Sequence, residues 1–209
     1  RAWELAKDKP DAPESDVVSQ ATGTTDKSNI LYHLGLAYYL KGDFAAAATT
    51  FARRSELAAR NEKLSDDNTV TFMYWQYLSL RRAGRADEAK AVLAEYHPRM
   101  NVRDNDAYFA MVRVFAGDVP AEVLATAAET TQSSNLAMAY GVGVYRLLNG
   151  QRNEAMAMFS RLAANPNWPS FGVIAAEAEL ARQQADGAPL GFDFADDGEA
   201  AVEFGDDAL

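Results

Sequence analysis

The chain has 209 residues and 48% hydrophobic content, enough for a sizeable core, which excludes disorder throughout. Cysteine is absent, so disulfides, thiolate metal sites and cysteine nucleophiles are excluded, and only His33 and His97 remain for imidazole chemistry. The net charge is −10, yet Gln183 to Leu209 holds 8 acidic residues and no basic one, so the body of the chain is close to neutral.

In chain order, Arg1 to Lys7, with Ala2, Trp3 and Leu5, reads as the end of a helix from a preceding unit. Lys9 to Lys27, rich in Pro, Ser and Thr, reads as a linker. From residue 28 a pattern recurs. Gly42, Gly84, Gly117 and Gly150 sit in similar turn tripeptides spaced 42, 33 and 33 residues apart. Seven residues before them stand Gly35, Tyr77, Ala110 and Gly143. Five residues after three of them stand Ala47, Ala89 and Ala155, and nine after stand Phe51, Leu93 and Phe159. The third segment fits only when slipped by one residue, which brings in Ala121 and Ala125 as if its turn were one residue shorter.

Each segment predicts a helical hairpin. A small residue allows close crossing, a glycine takes the left-handed turn position, and the second helix buries a small and then a large side chain. Leu31, Leu34, Tyr38 and Leu40 share one helical face, and Phe44, Ala47, Phe51 and Leu57 share another. Asp26 or Ser28, Asp66 or Asp67, Asp104 or Asp106, and Ser133 or Ser134 are expected to cap the four hairpins, with Pro120 and Pro169 as first-turn prolines. The longer first interval implies an insertion at roughly residues 60 to 68. Trp168 to Gln184, with Ile174, Ala178 and Ala181 in helical register, predicts a terminal capping helix. No segment alternates like a strand. The chain therefore reads as all-α, divided into residues 1–27, a repeat domain at 28–185 and an acidic tail at 186–209.

Leu31, Leu34, Gly35, Tyr38, Ala47 and Phe51 resemble the consensus of the tetratricopeptide repeat, whose period of about 34 residues is close to the spacing of 33. The resemblance covers about residues 28 to 165. It implies an α-α superhelix of four hairpins with a capping helix, acting as a non-enzymatic scaffold for protein–protein interaction. It also implies that the first helices line a concave groove. Tyr32, Tyr74, Ala107 and Tyr140 then form one column, Leu36, Leu78, Met111 and Val144 a second, and Tyr39, Arg81, Val114 and Leu147 a third. Tyr32, Leu36, Tyr39, Tyr74, Leu78, Arg81, Met111, Tyr140 and Val144 are the expected peptide-binding residues, tyrosine offering stacking area and a hydroxyl together. Some members of the family grip a chaperone's terminal carboxylate with Lys and Asn. Here Tyr32 and Leu36 hold those places, so a less charged peptide or protein segment is expected.

No catalytic constellation, cofactor fingerprint or metal site is expected. His33 and His97 lack a second ligand at helical spacing, and Gly141-Val142-Gly143 falls inside a predicted helix, where packing explains it. The acidic balance argues against nucleic acid, and no apolar run approaches the ~18 residues of a membrane span. The tail alternates Phe192, Phe194, Val202, Phe204 and Leu209 with acids. The alternative function is therefore self-assembly, the tail docking on its own or a neighbouring subunit of a homo-oligomer.

Overall fold

Four turn glycines set the architecture. In the computed structural model, which describes residues 1–60, 64–128 and 136–185, Gly42, Gly84, Gly117 and Gly150 have φ of 82°, 75°, 78° and 82°. The glycine N–H bonds the carbonyl three residues back and the next N–H bonds the carbonyl five back, as in Gly42 to Tyr39 and Asp43 to Tyr38. The other three turns repeat both bonds, so each first helix ends in the same left-handed cap.

Two short helices come first, α1 (Ala2–Ala6) and α2 (Val17–Thr22). The first hairpin is α3 (Asp26–Leu40) with α4 (Phe44–Ala52), extended by α5 (Arg54–Arg60). The second is α6 (Asp66–Arg82) with α7 (Ala86–Val92), and the third is α8 (Asp106–Phe115) with α9 (Ala121–Ala128). The fourth is α10 (Leu136–Leu148) with α11 (Arg152–Ala163), and α12 (Phe171–Ala185) follows as the capping helix. Among the described residues there is no strand beyond one isolated bridge between Pro13 and Thr25.

The repeated small and large positions meet inside the hairpins. A Cβ on Gly35 would lie 2.5 Å from the Phe51 ring, and one on Gly143 would lie 2.5 Å from the Phe159 ring. In the second hairpin Tyr77 takes the glycine's place and is stacked on Phe115 of the next repeat, with centroids 4.3 Å apart and planes at 13°.

Several local expectations are corrected. Thr25 caps α3 and Ser65 caps α6; Asp26 and Ser28 lie inside the first turn of α3, where Ser28 completes a capping box, and Asp66 and Asp67 lie inside that of α6. Asp104 and Asp106 do not cap α8. Asp67 reaches across from α6 and accepts the backbone N–H groups of Arg103, Asp104 and Asn105 at 3.0–3.1 Å. The buried carboxylate supplies the acceptors that this helix start lacks. The third turn is longer, not shorter: α9 begins four residues after its glycine, whereas α4, α7 and α11 begin two after theirs. Ala121 is nonetheless buried, and Pro120 and Pro169 stand just before their helices. The 9–27 stretch is built rather than a plain linker, since it holds α2 and Ser65 Oγ donates to the Thr22 carbonyl. Ser133, Ser134 and the acidic tail lie outside the described residues.

The superhelix closes on itself. α12 packs against α10 and α11 as a cap should, and it also reaches α3 at both ends. Phe171 packs edge-on against Tyr32 and His33, and Arg182 donates to the Leu40 carbonyl at 2.9 Å. A Cβ on Gly172 would lie 2.4 Å from the Leu136 carbonyl oxygen, so only glycine lets α12 approach α10 this closely.

Candidate functional site

Closure decides what becomes of the expected groove. Leu36, Tyr39, Tyr74, Leu78, Met111, Tyr140 and Val144 are buried, at most 2% exposed. They fill the centre of the ring instead of lining an open channel. Trp75, which no groove column contained, is the hub. Its ring lies 5.1 Å from Tyr39, 5.0 Å from Tyr74 and 5.8 Å from Tyr140, edge-on to the first two and stacked on the third. Large aromatics on first helices bury 150–250 Å² each, and bringing α12 onto α3 removes that area from water. Arg81 is half-buried at the other end of α6 from Tyr32, bonded to the Tyr77 hydroxyl at 2.9 Å. The nine expected residues therefore do not form one continuous surface.

At the C-terminal ends of the first helices, Glu179 of α12 is buried between two guanidinium groups. Arg82 Nη1 and Arg182 Nη2 both lie 2.6 Å from its Oε1. Tyr140 Oη is 3.0 Å from the same oxygen and 2.9 Å from Tyr39 Oη. Each hydroxyl has one proton and the carboxylate can only accept, so Tyr140 donates to Glu179 and Tyr39 donates to Tyr140. Burial alone would push the Glu179 carboxyl up; the two arginines outweigh it and hold the group below its ordinary range. Both guanidiniums also lie over the Phe44 ring, at 4.5 and 5.5 Å. This latch ties α4, α6, α10 and α12 together.

At the N-terminal ends lies an open cup of about 360 Å³. Its aromatic wall is Tyr32 and His33 of α3, Phe72 of α6, Tyr108 of α8 and Phe171 of α12. Tyr32 and Tyr108 join their hydroxyls at 3.0 Å, and burial pushes both above the usual tyrosine range. His33 Nδ1 lies 3.0 Å from the Asn29 carbonyl, which can only accept, so Nδ1 carries the proton. The polar wall includes Asn29, Asn68, Thr71 and Asn105, and α2 closes one side with Val18, Ser19 and Thr22. Asn68 is 6% exposed, and its side-chain oxygen has no hydrogen-bond partner among the described residues. Asp104 is the one acid in the lining, which contains no Lys or Arg.

Sequence reasoning placed Tyr32 but missed most of the cup. Tyr108 stands one position after Ala107 of the tyrosine column, and that offset was its available signal. Phe171 was legible as an aromatic just after Pro169 at the start of the capping helix.

Residues 30–53, which take in most of α3 and all of α4, match the family model of the tetratricopeptide repeat. The match identifies a tetratricopeptide repeat at the first hairpin, and the all-α hairpin architecture of the described residues agrees with it. Such repeats generally serve protein–protein interaction. No curated protein and no solved structure matches the chain. No helix among the described residues is long and apolar enough to cross a membrane, and no group of three or more His, Cys, Asp or Glu among them could hold a metal ion.

Proposed function

We propose that this chain is a non-enzymatic protein-interaction module that receives a segment of a protein partner at the cup, rather than along a continuous tyrosine groove. The observation that carries this reading is that Tyr32, alone among the expected groove residues, lines the cup, while seven of the other eight are sealed in the core. The surroundings support it. Val17 and Val18 of α2 are 82% and 64% exposed, and Trp168, three residues before Phe171, is 70% exposed. An aromatic recess with apolar side chains exposed near its mouth suits an anchor residue with flanking contacts. The acidic lining disfavours nucleic acid, whose phosphates it would repel.

The test is a displayed peptide library screened against the intact protein and against Thr71→Trp, which puts a bulky ring on the half-buried polar wall. Sequences enriched on the intact protein and lost on the variant are expected. Enrichment that survives on the variant would move the docking surface elsewhere, and enrichment of nothing would end the reading.

A further inference from the structure

The cup's chemistry is more specific than its shape. Five aromatic rings face it, its single charged lining residue is Asp104, and the Asn68 carboxamide oxygen in its wall lacks a donor. Glu14 stands just outside, accepting from Ser19 and Asn29, both lining residues. Resting on the proposed docking role, we propose that the group the cup admits is a basic side chain of the partner segment, lysine or arginine.

The helix N-termini are the opposing effect. α3, α6, α8 and α12 all begin at this end, and their dipoles favour anions. Three of those dipoles are already answered, and α12 alone among the four has no acidic residue in its first turn. Thr25 and Ser65 cap the first two helices, Asp26, Asp66, Asp67 and Asp106 sit in the first turns, and Asp67 takes the N–H groups ahead of α8. What lines the cavity is one exposed carboxylate, five aromatic side chains and neutral hydroxyl and carboxamide groups, with no cationic Lys or Arg. Lys27, beside the lining residue Ser28 in sequence, is committed elsewhere, its Nζ donating to the Lys7 carbonyl at 3.0 Å. Arg103 neighbours Asp104 in sequence but is not part of the lining. An ammonium or guanidinium group brings donors for the exposed Asp104 carboxylate and a cation for the aromatic wall, each a recognised source of affinity in a recess.

The experiment titrates the full chain, followed by NMR at the cup's aromatic and amide resonances, with two capped tripeptides. One has lysine at its centre and the other norleucine, which keeps most of the chain length and removes the charge. The lysine peptide is expected to bind saturably and about 10-fold more tightly than the norleucine peptide, with the preference lost in Asp104→Asn. Asp104 is exposed and its carboxylate makes no hydrogen bond among those resolved, so this variant keeps the fold. Equal binding of both peptides overturns the cation assignment while leaving the cup as an apolar docking site. No shift with either peptide overturns the assignment too, and the library result then decides separately whether the cup docks a partner at all.

Discussion

The two ends of the ring of first helices are built from the same elements and end differently. At the C-terminal end Glu179, Arg82, Arg182, Tyr140 and Tyr39 satisfy one another, and the superhelix is sealed. At the N-terminal end Tyr32, Tyr108 and Phe171 line a cavity, and the buried Asn68 oxygen has no partner among the described residues. Buried polar groups are normally paired because an unpaired one costs about 1–3 kcal/mol. The latch meets that demand from within the chain; among the described residues the Asn68 oxygen beside the cup does not, and neither do the indole N–H groups of Trp3 and Trp75. On the proposed reading, the docking surface of this closed ring is the cup and not the concave wall.

The largest effect should come from the hub shared by both ends. Trp75→Ala removes a fully buried indole in contact with Tyr39, Tyr74 and Tyr140, and a loss of about 3–5 kcal/mol in unfolding free energy is expected. Chemical denaturation checks this, and a loss under about 1 kcal/mol would mean that the ring is not closed around this residue.

Next comes the latch. Glu179→Ala leaves two guanidiniums facing each other without their shared carboxylate, and a cost of about 3 kcal/mol is expected. The pH dependence has a definite sign. The native carboxyl is held below its ordinary value of 4.5, so its contribution is complete above that pH and is lost as pH falls through the lower native value. The intact protein should therefore lose stability on acidification more steeply than Glu179→Gln. Parallel acid profiles would show that the pair adds nothing.

The tyrosines give an alkaline counterpart. Burial pushes Tyr39 up to about 12 and raises Tyr32, Tyr74, Tyr108 and Tyr140 as well. Raised native values mean that the contribution is whole below about pH 10, where unfolded tyrosine titrates, and is lost as pH rises through the native values. Each such tyrosine should remove about 1.4 kcal/mol per pH unit in that window. Ultraviolet titration should show the buried phenolates appearing together with loss of helical circular dichroism. Phenolates that appear gradually while helicity is intact would place these rings in water, as an open groove would.

How much of this could be read from the sequence follows the same division. The hairpins were legible because their chemistry is local: a turn glycine recurs in all four, and in three of them an alanine follows five residues on and a large apolar residue nine on. Closure was not legible. It depends on the rotation accumulated over four hairpins, which no single repeat encodes, so Tyr39 and Tyr140 look like groove residues until they meet across the ring. The cup's far wall was hidden for another reason, since α2 lies in a stretch whose Pro, Ser and Thr content reads as a linker. Asp67 illustrates a third, because a carboxylate in the first turn of one helix caps the start of another 38 residues later.

The smallest expected change in stability tests the comparison most directly. Truncating a buried side chain ordinarily costs stability, and Asn68 is 6% exposed in the first turn of α6. Its backbone N–H is held by Ser65 Oγ at 3.2 Å, a bond that Asn68→Ala leaves intact. What the change removes is a carboxamide whose oxygen has no partner among the described residues, which returns about 1–3 kcal/mol of desolvation cost against the packing lost. The two effects nearly cancel, so the urea midpoint should move by less than about 1 kcal/mol equivalent at unchanged slope. A destabilisation above about 2 kcal/mol would show that the oxygen is already satisfied within the chain, and the N-terminal end would then be as complete as the latch.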